Sequence, residues 1–292
     1  MKFKGTGVAL VTPFDASGNI DEAGLRKLVD HQVNNGTDFL VVMGTTGEAA
    51  TLSEEEQDRV LKIVIDENKK RLPVVLGMGG NNTAVLAKKM EEFDNPDVDG
   101  FLSASPHYNK PAQSGIIEHF KTLAKVAKRP IILYNVPGRT GSNMSAQTTI
   151  ELSKVDNIVA VKEASGDLSQ VMDVLNGVED DFAVLSGEDA LTMPISALGG
   201  HGVISVVANA FPQYFSGMIA ATDSNDFKKA REIHYKLLDI TGQFFEQGNP
   251  SGIKYCLKSL GICQDYLRLP LVQITDDLKA RMEKELKDKG LK

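Results

Sequence analysis

The sequence predicts a single α/β barrel, the TIM (β/α)8 barrel with a C-terminal helical extension, on three observations. Short apolar, β-branched runs alternate with helical patterns eight times. The strand-helix units average about 25 residues with no composition break between them. With 292 residues, 42% of them hydrophobic, the chain can bury one large core. A doubly wound open sheet is the runner-up arrangement for the same alternation.

Val8-Ala9-Leu10-Val11 opens the series, and Asp21 to Asn34 repeats apolar residues at Leu25, Leu28, Val29 and Val33, the spacing of an amphipathic helix. Phe39 to Met43 is the second strand. Its helix opens with Ser53-Glu54-Glu55-Glu56, a capping box in which Ser53 caps the N-terminus and Glu56 reaches back. Val74 to Leu76 and Phe101-Leu102 mark strands three and four, followed by helical patterns over Thr83–Phe93 and Gln113–Ala127. Ile131 to Tyr134 is strand five, and a helix near Ser145–Ser153 leads to strand six at Ile158-Val159-Ala160-Val161-Lys162-Glu163. A short helix over Leu168–Val174 precedes strand seven, Phe182 to Leu185; Asp189 to Leu198 is the seventh helix. Gly202 to Val207 is the eighth strand, followed by a helical segment from Phe211. These units make residues 1–223 the barrel and 224–292 a helical extension interrupted at Gly248-Asn249-Pro250.

The formal charge of −7 and scattered lysines and arginines exclude a nucleic-acid partner held by bulk electrostatics. The N-terminal Met1-Lys2-Phe3-Lys4-Gly5 has no signal-like apolar stretch, and no later run approaches the roughly 20 apolar residues that span a bilayer. The sequence therefore predicts a cytoplasmic protein with no membrane partner. Cys256 and Cys263, set in a helical pattern, fit buried thiols better than a disulfide or zinc framework.

Lys162 is the residue that asks for a reason. Lysine is seldom buried without a partner, yet it follows an apolar strand here. One reading is a buried ion pair, with Glu163 as the candidate. The other is an amine with a pKa lowered by desolvation, able to attack a carbonyl and form a Schiff base. Barrel active sites lie at the carboxyl ends of the strands. Those ends carry Gly44-Thr45-Thr46-Gly47-Glu48, Tyr134-Asn135-Val136-Pro137-Gly138-Arg139-Thr140-Gly141, Lys162-Glu163 and Ser186-Gly187-Glu188. The first could present hydroxyls and backbone N–H groups to a carboxylate, or be an ordinary turn. Tyr134 could relay protons, or be a half-buried phenol. Arg139 offers a planar fork to a carboxylate, or a solvated loop charge.

No G-x-x-x-x-G-K-[ST] occurs, and Asn82 stands where a dinucleotide fingerprint after Gly77 and Gly79 needs its third glycine. There is no G-x-S-x-G, and the five histidines show no metal-ligand spacing. Metal-free, cofactor-free organic chemistry is the expectation.

Three ordered motifs, Gly44-Thr45-Thr46-Gly47-Glu48, Tyr134 to Gly141, and Val161-Lys162-Glu163-Ala164, resemble the signatures of the N-acetylneuraminate lyase/dihydrodipicolinate synthase family of Schiff-base-forming lyases and aldolases. The likeness covers essentially the whole chain. It implies that Lys162 condenses with pyruvate and that the enamine attacks the aldehyde of L-aspartate 4-semialdehyde, on the diaminopimelate route to lysine. It makes Tyr134 the proton relay, linked through Thr45 to Tyr108 reaching in from a neighbouring subunit. Thr46 would bind the pyruvate carboxylate, Arg139 the carboxylate of the semialdehyde, and backbone groups of Gly187 and Ile204 would line the lysine pocket. The resemblance also implies a homotetramer of two tight dimers, with a compact dimer as the alternative assembly and a dimer as the minimum catalytic unit.

Sibling sugar-acid aldolases of the family share the tyrosine and lysine but carry Ser-Thr in the first motif and lack the arginine. Thr45, Thr46 and Arg139 favour the semialdehyde, because a short substrate with its own carboxylate rewards a fixed cation. A catalytically silent barrel that binds a keto acid is the alternative from another class. Lysine-inhibited relatives place His or Trp, a carboxylate and a tyrosine where this chain has Glu54 and Gln57, Val85 and His107, although Asn81 fits their pattern. Without the carboxylate, feedback inhibition by L-lysine is expected to be weak.

Overall fold

The computed structural model describes residues 2–292. The apolar runs become eight parallel strands that close on themselves in sequence order, β1 (Gly5–Ala9), β2 (Phe39–Val42), β3 (Val74–Gly77), β4 (Gly100–Ala104), β5 (Ile131–Asn135), β6 (Ile158–Glu163), β7 (Ala183–Ser186) and β8 (Gly202–Ser205). Between them run α1 (Glu22–Asn34), α2 (Glu54–Asn68), α3 (Thr83–Glu92), α4 (Gln113–Val126), the short α5 (Pro137–Thr140) and α6 (Ala146–Leu152), α7 (Leu168–Gly177), α8 (Thr192–Ala197) and α9 (Pro212–Asp223). Three more helices follow: α10 (Phe227–Phe245), α11 (Ser251–Ser259) and α12 (Asp276–Asp288). This is a TIM barrel with C-terminal helices. Among the described residues no helix is long and apolar enough to cross a membrane.

Strand alternation divides the core in two. Phe3, Ala9, Phe39, Val41, Val75, Leu102, Ile132, Ala160, Ala183, Leu185 and Ile204 fill the barrel interior, with Phe3 and Phe39 packed edge to face at 5.7 Å. The opposite faces of the strands, among them Val8, Val42, Phe101, Leu133 and Val161, pack against the helices. The capping box at α2 forms: Ser53 Oγ accepts from Glu56 N at 3.2 Å, and Ser53 N donates to the Glu56 carboxylate at 3.0 Å.

Several boundaries shift from the sequence expectation, and three of them have a clear tertiary reason. β1 starts at Gly5 rather than Val8, because Gly5 to Val8 pair with Gly202 to Ser205 while Gly7 to Ala9 pair with Phe39 to Val41. β8 stops at Ser205, because the N–H groups of Val206 and Val207 donate to the Asp189 carboxylate at 3.0 and 3.2 Å instead of to a strand. That contact also draws Asp189 to Leu191 into a 3-10 turn, so α8 proper begins only at Thr192. Cys263 lies beyond the end of α11, past Gly261 in the left-handed region, and both cysteines are buried free thiols. Burial pushes the Cys263 thiol up to about 12.

Candidate active site

Strands β5 and β6 end side by side, with Tyr134 paired to Lys162 and Asn135 to Glu163. Ile132 and Ala160 point into the barrel, so Tyr134 and Lys162, two residues further along, share that interior face at its carboxyl end. Lys162 is only 5% exposed, and its Nζ lies 4.5 Å from the centre of the Tyr134 ring. Glu163 goes the other way. Outside the barrel its carboxylate accepts from Asn135 Nδ2 at 3.1 and 3.0 Å, from Ser165 N at 2.7 Å and from Gln170 Nε2 at 3.1 Å. Alternation thus removes Glu163 as an ion-pair partner for Lys162. The fully buried lysine ion pair among the described residues belongs to Lys254 and Glu48.

Gly187, just past β7, donates its N–H to Glu163 O at 2.7 Å. A Cβ there would stand 2.6 Å from Ala164 Cβ and 3.1 Å from Lys162 Cγ, so only glycine lets this backbone lie along the lysine stem. Ile204 of β8 is fully buried in the interior cluster. The loop after β2 folds as a 3-10 turn over Thr45–Gly47, closed by Thr12 Oγ1 donating to Gly47 O at 2.6 Å. Thr46 is buried and its hydroxyl accepts from Asn249 Nδ2 at 2.9 Å, whereas Thr45 is exposed.

Arg139 lies on α5, where Pro137 takes the first helical position and its missing N–H costs nothing. The arginine is exposed. Tyr108, in the loop after β4, is 89% exposed and holds a left-handed φ of 66°. Its N–H donates to Thr140 O at 2.9 Å, which ties this loop to the Arg139 helix. Asn81 clamps the preceding residue, donating to His107 O at 2.8 Å and accepting from His107 N at 2.9 Å. Among the described residues no side-chain hydrogen bond joins Tyr134, Thr45 and Tyr108 within the single chain.

Two acidic residues adjoin the site: Glu188, already part of the strand-seven end in the sequence, and Asp189, which the sequence marks only as the start of a helix. Burial, reinforced by Asp189, pushes Glu188 above the usual carboxylate range, against the pull of Lys162 and Arg139. Asp189 is fully buried and likewise raised by burial, although the Val206 and Val207 N–H groups oppose the shift. Both directly follow Gly187, which was the available signal. Asn249 was read only as part of a chain break, and nothing local announces its reach to Thr46. A buried amine beside a phenol can form an imine with a small keto acid, and an exposed arginine fork can hold a carboxylate.

Residues 2–289 match the Dihydrodipicolinate synthetase family. A 4-hydroxy-tetrahydrodipicolinate synthase from Flavobacterium psychrophilum is 45% identical over 282 residues, 96% of either chain. The crystal structure of dihydrodipicolinate synthase from Aquifex aeolicus superposes with a TM-score of 0.94 at 39% identity, covering 99% of both chains. The enzyme from Cyanidioschyzon merolae, solved with lysine bound, gives 0.95 at 37% identity, again over 99% of both chains. Likeness of this extent in both sequence and backbone leaves one assignment: the chain belongs to the dihydrodipicolinate synthetase family.

Proposed function

We propose that this chain is a lyase of lysine biosynthesis that condenses pyruvate with L-aspartate 4-semialdehyde to give 4-hydroxy-tetrahydrodipicolinate, in the cytoplasm. The observation that carries this reading is the Tyr134–Lys162 pair at the mouth of the barrel, with the amine 4.5 Å from the ring centre and its neighbouring carboxylate turned away. The Lys162 amine attacks the C2 carbonyl of pyruvate, and loss of water leaves a Schiff base. Removal of a C3 proton gives the enamine, whose C3 forms a carbon–carbon bond to the aldehyde carbon. The amine of the semialdehyde then takes the place of Lys162 at C2, closing the ring and freeing the enzyme.

In this reading Tyr134 moves the protons, and Thr45 links it to Tyr108 of a second copy. Thr46 binds the pyruvate carboxylate and Arg139 the carboxylate of the semialdehyde. Backbone groups of Gly187 and Ile204 line the lysine pocket. The exposure and left-handed backbone of Tyr108 support a role in trans, because a bulky residue at positive φ carries a strain cost that solvent alone does not offset. A dimer is then the smallest complete site, and a homotetramer of two such dimers the assembly. Residues 1–223 are the catalytic barrel and 224–292 its brace.

A coupled assay with both substrates tests the function on wild type, Lys162→Ala and Arg139→Ala. Condensation that collapses in both variants supports it. A pyruvate adduct on Lys162 with no turnover of the semialdehyde assigns the chain to a sibling aldolase instead.

A further inference from the structure

The Thr46 hydroxyl meets Asn249 across a sequence separation of 203 residues, and the geometry gives that contact a direction. A hydroxyl has one proton to donate and two lone pairs. With Asn249 Nδ2 donating into one lone pair at 2.9 Å, the Thr46 proton is turned away from the amide and is available to an anion. This is the only side-chain hydrogen bond Asn249 makes among the described residues, and its Oδ1 is buried without a partner. The amide therefore serves Thr46 and no other group.

A second tie runs parallel to the first. Glu48, two residues past Thr46 and held at a left-handed φ of 54°, pairs with the fully buried Lys254 at 2.5 Å. Lys254 also donates to Tyr266 O at 2.8 Å, and Glu48 accepts from Arg268 N at 3.1 Å. Arg268 in turn grips Glu56 at 2.6 and 2.7 Å and Thr51 O at 2.8 Å, while both cations flank the Phe14 ring at 4.2 and 4.6 Å. A buried ion pair often adds no more stability than apolar residues of the same volume, but its directional contact joins two segments far apart in the sequence. The pair fixes the start of α11 against the turn after β2, and Asn249 stands just ahead of α11.

We infer that Asn249 is a positioning residue for keto-acid binding: its amide holds the Thr46 hydroxyl with the proton aimed at the substrate carboxylate, and the Lys254–Glu48 pair keeps the amide in place. This rests on the reading of Thr46 as the group that binds the pyruvate carboxylate. Steady-state kinetics of the full chain, varying pyruvate at saturating semialdehyde, test it with Asn249→Ala, Asn249→Asp, Thr46→Val and the Asn249→Ala/Thr46→Val double variant.

Asn249→Ala is expected to raise the pyruvate KM about tenfold, with kcat changed less than about threefold and the semialdehyde KM near wild type. Asn249→Asp keeps the shape but can only accept, so it captures the Thr46 proton and raises the KM further; it also carries the test should the alanine variant fail to fold. The double variant is expected to be no worse than Thr46→Val alone. An unchanged pyruvate KM in both Asn249 variants, beside a raised one in Thr46→Val, overturns the inference and leaves the reading of Thr46 standing. An unchanged KM in Thr46→Val overturns both. Lower kcat or thermal stability at constant KM assigns Asn249 a purely structural role and also overturns it.

Discussion

Tyr134 and Lys162 are register partners on adjacent parallel strands, and the lysine Nζ lies 4.5 Å from the centre of the tyrosine ring. The next pair along the same ladder, Asn135 and Glu163, is hydrogen-bonded on the opposite face of the sheet. A single-residue step, half the strand's two-residue period, therefore separates the reactive groups from the polar clip that fixes the strand ends. The ring beside the amine places the phenol on the same carboxyl-end face as any adduct of Lys162.

Tyr134→Phe keeps the ring and removes only the hydroxyl. If that hydroxyl moves protons, kcat is expected to fall about 10²-fold or more in the coupled assay while Lys162 still forms its pyruvate adduct. A near wild-type kcat would assign the relay elsewhere.

Tyr108 is the basis of a complementation prediction. Tyr108→Phe and Lys162→Ala are each expected to be nearly inactive alone. After equal mixing with subunit exchange, hybrid dimers pair an intact Lys162 with the partner's Tyr108, and about a quarter of wild-type activity should return. Activity that stays at the sum of the two separate variants contradicts a role in trans.

L-lysine is expected to inhibit weakly or not at all. Val85 is exposed and offers no charge to an ammonium, and the polar groups nearby are already engaged. Asn81 is bonded twice to the His107 backbone, Gln57 donates to Ala49 O and Leu52 O, and Glu54 pairs with Lys89 at 2.6 Å. Inhibition at micromolar lysine would sink this expectation.

The Glu56–Arg268 contact predicts a pH dependence of stability. The forked hydrogen bonds from Arg268 hold the Glu56 carboxyl down to about 2 from the ordinary 4.5. A carboxyl depressed in the folded state stabilises the protein above its unfolded pKa, and that contribution fades as pH falls from about 4.5 toward about 2. Glu56→Gln, which can still cap α2, is therefore expected to cost about 1 kcal/mol near neutral pH, the partly exposed pair being screened. The gap in Tm between variant and wild type should close on acidification; a constant gap contradicts the assignment.

Strand and helix order was legible because each unit carries its own signal: β-branched runs for the barrel, 3.6-residue spacing for the layer around it, and Ser53 with Glu56 for one helix start. The end of β8 was not, because Asp189, 17 residues away, takes the N–H of Val206. Lys162 and Tyr134 stood out as polar residues at strand ends. Whether Lys162 paired with Glu163 was left open until the ladder placed the two on opposite faces. Asn249 and Lys254 were invisible for a different reason: their partners, Thr46 and Glu48, lie at the other end of the chain, and no local pattern encodes such contacts.

The most direct test of the central claim is borohydride reduction of the protein with pyruvate, followed by peptide mass analysis. The account predicts one reduced pyruvyl adduct, on the peptide bearing Lys162, and none in Lys162→Ala. An adduct confined to another lysine, or full turnover with no adduct at all, would contradict it.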